Sequence, residues 1–263
     1  MSRLARAARS LREKAPHLFL LLRTLRYLGG REKPDPLSAD ILERLCGSDP
    51  RVLSGPFQGM RFIPFASGSG LLPKIVGSYE LEIHSAVAAS LRRGYRRVVN
   101  VGCGEGYYAV GYARALPDAT VHAFDLDILA RRRVRTLARL NGVAGRVRTA
   151  ARCGIEDLQA FSGEGSLVFS DCEGCEKELL DPALAPALAE ADILVEIHDF
   201  IDPSISETLA RRFQATHEIE VFSMQERDGF HLPPLDSLLP EQRRFAVWEG
   251  RPAGMQWAWM RPR

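Results

Sequence analysis

Cysteines and long apolar runs are scarce in this chain of 263 residues. Its five cysteines are odd in number and sparse for the length, which argues against a secreted scaffold built on disulfides. A bilayer-spanning helix needs roughly 20 apolar residues, whereas the longest apolar run near the N-terminus, Leu18–Leu22, holds five. With 46% hydrophobic and 26% charged residues, the composition is typical of a soluble globular protein, and we expect a cytoplasmic location.

Acidic residues are nearly absent from the first 33 positions. Nine Lys or Arg against two Glu give this stretch a net charge of +7, and because the whole chain carries +2, the other 230 residues carry −5. Arginine recurs at every third position from Arg3 to Arg12, which predicts a basic amphipathic helix within an arm over residues 1–30. Three interpretations stay open: a helix packed on the body, a contact with a membrane surface or acidic protein, and a targeting peptide.

Residues 31–76 form a second segment, rich in proline. Six prolines and a Ser-Gly-Ser-Gly run make long regular elements unfavourable there. The pattern predicts a cap or lid with one short helix around Ser38–Leu45, capped by Ser38, and a strand pair within Arg51–Phe65 that turns near Gly59.

Residues 77–263 alternate between helical and strand patterns, as in a parallel sheet covered by helices on both faces. The predicted strands are Arg97–Val101, Thr120–Phe124, Val147–Ala150, Leu167–Ser170, Ile193–Ile197, Glu218–Met224 and Gln256–Met260. The main predicted helices are Glu80–Arg93, Gly106–Leu116, Ile128–Leu140 and Ile205–Thr216. We therefore predict an α/β, Rossmann-like, doubly wound and mostly parallel seven-stranded sheet behind an N-terminal helical and proline-rich extension.

A glycine-rich turn follows the first predicted strand. Gly102, Gly104 and Gly106 lie between that strand and a helix, and glycine permits both positive φ and close approach of a ligand to the backbone. The next strand ends in Asp125, where an acid can accept hydrogen bonds from ribose hydroxyls. A dinucleotide-binding turn needs glycine at position 107, where Tyr107 stands. The turn therefore disfavours a nicotinamide dehydrogenase.

The spacing G-x-G-x-G resembles motif I of class I S-adenosylmethionine-dependent methyltransferases. The resemblance implies that the turn and Asn100 hold the amino-acid tail of S-adenosylmethionine, and Asn100 stands where many members have an acid. Glu80, before the first helix of the domain, is a further candidate for the amino-acid end. The candidate cofactor-binding residues are Asn100, Gly102, Gly104, Gly106, Tyr107, Asp125, Glu80 and Asp171.

Polar side chains also follow two later strands. Asp171 and Glu173 come after one buried strand, and Glu196 and His198 lie at the end of the next. Because the carboxyl ends of neighbouring parallel strands line the ligand crevice, these four side chains should converge. Three carboxylates and an imidazole close together need charge compensation.

Three interpretations of this group of four stay open. A divalent metal, Mg²⁺, Mn²⁺ or Zn²⁺, would be bound by Asp171, Glu173, Glu196 and His198, and would lower the pKa of an acceptor hydroxyl. Without a metal, His198 or Asp171 would act as the general base. Alternatively, the acids serve only to hold the cofactor's amino group or to form ion pairs. The candidate catalytic residues are Asp171, Glu173 and His198.

The run from Asp171 to Glu176 resembles the D-x-E-G-x-E signature of the FkbM-type methyltransferases, and the later Val195–His198 resembles their next strand. With the glycine turn, the resemblance covers roughly residues 77–200. It implies O-methylation of a hydroxyl on a small molecule, commonly a sugar or glycan. Cys172 and Cys175 depart from the signature, and as a C-x-x-C pair they admit a redox pair or half a zinc site. With no second such pair in the chain, we expect instead small residues at buried positions.

Two other classes of function compete with this interpretation. Nucleic-acid amino-methyltransferases usually carry an N/D-P-P-aromatic motif after the fourth strand, where this chain has D-C-E-G. We therefore expect no nucleic-acid partner. A non-catalytic protein that binds S-adenosylmethionine and contacts partners through its basic arm stays open, and neither the acceptor nor the oligomeric state follows from the sequence.

Overall fold

The computed structural model describes residues 34–67, 69–227, 232–252 and 254–263. The predicted basic arm over residues 1–30, with its membrane or protein contact, lies outside them. Across the described ranges, no helix has both the length and the apolar character needed to cross a membrane.

Seven strands form one sheet in the order β3-β2-β1-β4-β5-β7-β6. Pairing is parallel except at β7, which runs antiparallel to both β5 and β6. The α/β, mostly parallel seven-stranded architecture is therefore confirmed. The strands are β1 (Arg97–Val101), β2 (Thr120–Phe124), β3 (Val147–Ala150), β4 (Ser166–Ser170), β5 (Asp192–Ile197), β6 (His217–Ser223) and β7 (Gln256–Pro262).

Helices cover both faces of this sheet. The α-helices are α1 (Pro36–Cys46), α2 (Leu71–Val76), α3 (His84–Arg92), α4 (Tyr107–Ala115), α5 (Ile128–Leu140), α6 (Ile155–Phe161), α7 (Glu176–Leu179), α8 (Ile205–Phe213) and α9 (Pro240–Val247). Short 3₁₀ helices span Leu81–Ile83, Pro186–Glu190 and Pro233–Leu235. Side chains alternate across each strand, so Val98 and Val99 of β1 enter two different apolar clusters, one on each face. The proline-rich segment contributes Ile41, Phe57 and Met60 to the larger cluster.

Three local predictions about the N-terminal half were wrong. The cap of α1 is Asp35, whose carboxylate accepts the Ser38 backbone N–H at 3.0 Å, because Pro36 starts the helix two residues before the predicted position. The strand pair within Arg51–Phe65 reduces to one antiparallel bridge between Arg51 and Arg61.

The helix predicted from Glu80 is also interrupted. Glu80 itself has a left-handed backbone (φ 51°), so a 3₁₀ turn at Leu81–Ile83 precedes α3. The left-handed conformation turns the chain directly after Tyr79, which lines the cleft described next.

Candidate functional site

A cleft opens at the carboxyl ends of β1, β4 and β5, the edge at which open α/β sheets bind ligands. It encloses about 870 Å³ not occupied by protein atoms, a volume that includes the open mouth of the cleft. Eight of the candidate residues line it: Asn100, Gly102, Gly104, Tyr107, Asp171, Glu173, Glu196 and His198.

The glycine turn brings β1 and β4 close together. Gly102, Gly104 and Gly106 all have positive φ, the region that glycine adopts most readily. A Cβ at Gly102 would lie 1.6 Å from the backbone oxygen of Asp171, so only glycine fits there. At Gly106 the neighbour is Val134 of α5, at 3.2 Å from a built Cβ. The glycines therefore serve packing as well as the turn.

Asp125 fixes the turn from the end of β2. One carboxylate oxygen accepts the Gly104 backbone N–H at 2.8 Å and the other accepts the Asp127 backbone N–H, also at 2.8 Å. The acid predicted to bind a ribose thus lies next to the glycine turn, held by two backbone donors.

Three buried polar atoms of the residues that line the cleft have no partner within the described residues: Asn100 Oδ1, the Tyr107 hydroxyl and Glu196 Oε2. Asn100 donates its amide N–H to the Phe169 carbonyl at 3.3 Å, whereas its Oδ1 atom has no donor. The hydroxyl of Tyr107 is likewise unpartnered. Because an unsatisfied buried acceptor costs about 1–3 kcal/mol, Asn100 Oδ1 is suited to a ligand donor such as an ammonium group. The residues present therefore fit the amino-acid end of S-adenosylmethionine.

Glu80 lies in a buried ion-pair network rather than on the cleft wall. Its carboxylate accepts hydrogen bonds from Arg251 and from the Tyr108 hydroxyl. Arg251 also donates to Glu196 at 2.5 Å and to Glu249 at 2.7 Å. One guanidinium from the segment before β7 thus contacts three carboxylates, two of which border the cleft.

The ends of β4 and β5 bring three of the four predicted metal ligands together. One ligand atom each of Asp171, Glu196 and His198 lies within 4.8 Å of the others. Glu173 is not part of this group: its backbone is left-handed (φ 56°) and its side chain is exposed at the cleft wall. The four predicted residues therefore line one cleft, but Glu173 stands outside the group of three possible metal ligands.

His198 is held by a residue that the sequence interpretation did not single out. Its Nδ1 lies 2.6 Å from Oε1 of the fully buried Glu176, at the start of α7. A carboxylate only accepts, so Nδ1 is the donor and Nε2 faces the cleft-side acids. Nε2 is 3.6 Å from Asp171 Oδ1 and 3.8 Å from Glu196 Oε1.

Burial and crowding of negative charge shift the pKa values in this group. Burial, and then the charge of Glu80, raise the pKa of Asp171 to about 7. Burial, together with the charges of Asp171 and Glu80, raises the pKa of Glu196 well above its usual range. For His198, burial lowers the pKa, but the hydrogen bond to Glu176 and the charge of Asp171 outweigh it and the pKa rises. Neighbouring carboxylates thus contribute to all three shifts, although burial is the largest cause for Asp171 and Glu196.

A buried ion pair ties the proline-rich segment to the glycine turn. Lys74 of α2 pairs with Glu105, and both side chains are buried. Glu105 also accepts the Ser67 backbone N–H at 2.6 Å, and Lys74 donates to Ser69 at 2.6 Å. This segment therefore covers one side of the cleft.

Cys172 and Cys175 form a disulfide, so the expectation of unpaired small residues is wrong. The bond closes the short loop between Asp171 and Glu176. Cys46, Cys103 and Cys153 are free.

Four further residues of the site were not predicted from the sequence. Glu176 is the last residue of the D-x-E-G-x-E run, and that position was the only feature of the sequence that pointed to it as a site residue. Arg251, Lys74 and Glu105 lie far apart in sequence, so only the folded chain brings them to the cleft.

No family model matches the chain, and no curated protein matches it. The resemblance to the FkbM-type methyltransferases therefore remains one of short motifs. Precorrin 8w decarboxylase of Methanobacterium thermoautotrophicum is similar in structure, with 14% identity, a TM-score of 0.48, and coverage of 70% of this chain and 90% of that chain. The O-methyltransferase TomG of Streptomyces achromogenes, solved with S-adenosylmethionine, gives 16% identity, a TM-score of 0.43, and coverage of 66% and 76%.

A SAM-dependent O-methyltransferase of Thermotoga maritima is also similar, with 18% identity, a TM-score of 0.41, and coverage of 68% of this chain and 64% of that chain. At these identities and TM-scores, no residue role is transferred from any of these proteins.

Proposed function

We propose that this protein is an S-adenosylmethionine-dependent methyltransferase that methylates a hydroxyl group of a small molecule, such as a sugar or a glycan. The observation that carries the proposal is the unpartnered Oδ1 of Asn100, buried beside a glycine turn that Asp125 holds in place. S-adenosylmethionine supplies an electrophilic methyl group on a sulfonium sulfur.

The residues at the β1 and β2 ends bind the donor in this proposal. Asn100 Oδ1 accepts the ammonium of the amino-acid tail, and the backbone of Gly102 and Gly104 contacts the same tail. Asp125 accepts the ribose hydroxyls. These contacts leave the ends of β4 and β5 for the acceptor.

Acidic residues and an imidazole line the acceptor side. Asp171, Glu173 and His198 border the same cleft and orient the hydroxyl towards the methyl group. Positioning of the two reactants supplies much of the rate acceleration in such transfers. The apolar wall formed by Phe169 and Met255 would exclude water from the methyl group.

Isothermal titration with S-adenosylmethionine tests the donor site. Asn100→Ala should weaken binding about 10- to 100-fold, because a hydrogen bond to a charged group contributes roughly 1.5–3 kcal/mol. Asn100→Asp should retain binding, since it keeps an acceptor oxygen. Asn141→Ala, which removes hydrogen bonds to Arg61 far from the cleft, is the matched control. Absence of binding to the unmodified protein would overturn the proposal.

Methyl transfer is tested on a panel of hydroxylated acceptors, with single-stranded DNA and RNA as separate arms. His198→Ala and Glu173→Ala should lower turnover about 10²- to 10⁴-fold, the range for loss of an acid–base group, while donor affinity changes by less than about threefold. Asp125→Ala should do the reverse and chiefly weaken donor binding. Donor binding without turnover on any acceptor would favour the non-catalytic alternative, and transfer only to nucleic acid would replace the substrate class.

A further inference from the structure

We propose that Asp171, Glu196 and His198 bind one divalent transition-metal ion, Zn²⁺ or Mn²⁺, at the acceptor end of the cleft. The site itself is inferred from the geometry of these three side chains. Only its part in methyl transfer rests on the function proposed above.

The separations within the group fit ligands around a cation better than they fit direct contacts. Distances of 3.6 and 3.8 Å from His198 Nε2 to Asp171 and Glu196 are too long for hydrogen bonds. Ligand atoms about 2.0–2.2 Å from a shared ion lie roughly 3.0–3.6 Å apart. Small shifts of the side chains would therefore bring all three onto one ion.

The orientation of His198 is that of a metal-ligating imidazole. Glu176 accepts from Nδ1 at 2.6 Å, so when the ring is neutral, as a metal ligand is, its lone pair is on Nε2, the nitrogen nearer Asp171 and Glu196. Metal-bound histidines usually donate their second ring N–H to a carboxylate or carbonyl in this way. Because Glu176 is fully buried, the ring has little freedom to turn away.

Glu196 supplies an independent observation. The residue is only 4% exposed, and its Oε2 atom has no hydrogen-bond partner within the described residues. Its Oε1 atom, which lies 3.8 Å from His198 Nε2, accepts a hydrogen bond from Arg251 at 2.5 Å, so Oε2 is the oxygen left for an ion. An unpartnered carboxylate oxygen inside a protein is costly, and a cation would satisfy it.

The positive charge of Arg251 is too small to balance the carboxylates around His198 and Arg251. Its single positive charge is shared among Glu80, Glu196 and Glu249, and of these only Glu249 has a second cation, Arg227, within the described residues. Asp171 and Glu176 instead face His198, which carries no fixed charge. A dication would balance this excess.

The ligand types select the class of metal. One imidazole with two carboxylates suits Zn²⁺ or Mn²⁺ better than Mg²⁺ or Ca²⁺, which favour all-oxygen sites. Three protein ligands leave coordination positions for a substrate oxygen, as in catalytic sites. A hydroxyl bound there would have a lowered pKa.

Metal binding is measured on the full chain after EDTA treatment and dialysis, without reductant so that Cys172 and Cys175 stay paired. Titration with Co²⁺ alone, followed by its visible absorption, should give one ion per chain, and Zn²⁺ should displace it. His198→Ala and Asp171→Ala should weaken Co²⁺ binding more than about 100-fold, and Glu176→Gln about 10- to 100-fold. Glu178→Gln, an exposed acid on the same short helix, should leave affinity within about twofold.

Thermal unfolding checks that each variant is folded, and the conservative Glu176→Gln keeps the test valid if an alanine variant fails to fold. No stoichiometric binding, or binding that His198→Ala leaves unchanged, overturns the metal site. Full methyl transfer after EDTA treatment would overturn the part of the ion in methyl transfer, leave the methyltransferase proposal intact, and make His198 or Asp171 a free base. Co²⁺ bound through His198 in a chain that does not bind S-adenosylmethionine would support the site and refute the proposed function.

Discussion

Gly102 and Asp171 are the residues that directly follow the last paired positions of strands β1 and β4. The φ of Gly102 is +72° and its missing Cβ leaves room for the backbone oxygen of Asp171. A side chain there would push apart the ends of β1 and β4, which both border the cleft.

We expect Gly102→Ala to lower the free energy of unfolding by more than about 3 kcal/mol, the size reached when a substitution combines overpacking with backbone strain. Gly94→Ala is the matched control: its φ is +69°, but no atom lies within 4 Å of a built Cβ. It should cost only the roughly 1–2 kcal/mol of a left-handed conformation. Equal losses in the two variants, measured by urea denaturation, would contradict the packing role of Gly102.

The sequence predicted which residues line the cleft where a polar residue stands at or next to the end of a strand. Asn100, Asp171, Glu196 and His198 line one cleft because each is at or next to the end of a strand. Glu80 could not be assigned from sequence, because its partner Arg251 is supplied by a distant segment. Position-by-position alternation failed at Glu173 because the chain leaves the strand geometry directly after Asp171.

At the scale of elements, helix α2 is fastened to the glycine turn by the buried pair Lys74–Glu105. We expect Lys74→Met or Glu105→Gln alone to cost about 3–5 kcal/mol of unfolding free energy, because each leaves a buried group without its partner. The double variant should be more stable than either single one. A double-mutant cycle in denaturant measures this coupling; additive losses would show that the two residues act independently.

The disulfide loop is a second element-scale feature. Replacing both Cys172 and Cys175 by Ser should cost no more than about 2 kcal/mol, because so short a loop removes little entropy from the unfolded chain. Reductant should destabilise the unmodified protein by a similar amount and leave the double variant unchanged. A response of the double variant to reductant would mean that other cysteines are involved.

The strands of the sheet and the helices that cover it were predictable, because their apolar residues are periodic and their ends carry glycine or polar residues. Strands β1, β2 and β3 and helix α5 begin and end at the predicted residues. The proline-rich segment was not predictable in the same way, since side-chain contacts such as those of Asp35 and Lys74 hold it rather than regular pairing.

On the scale of the whole molecule, ligand binding should stabilise the fold, because the cleft joins the proline-rich segment, the sheet and the segment before β7. At 100 times its dissociation constant, a ligand adds about 2.7 kcal/mol. For a chain of this size, S-adenosylmethionine should therefore raise the Tm by about 5–10 °C. Differential scanning fluorimetry measures this rise in Tm. Asp125→Ala should show a smaller rise. The control Asp118→Ala, at an exposed position before β2, should show the same rise as the unmodified protein.

The position of β7 has a consequence for how the chain is made. β7 lies between β5 and β6 in the sheet although it follows both in sequence. During translation the five parallel strands, β1 to β5, are made first. β6 is made next, but it has no pairing partner until β7 has been made. Arg251 also follows Glu80 and Glu196 in sequence, so these two acids gain their shared cation only after the segment before β7 has been made. The site is therefore assembled at a late step of synthesis, and the nascent protein exposes an open edge at β5 until then.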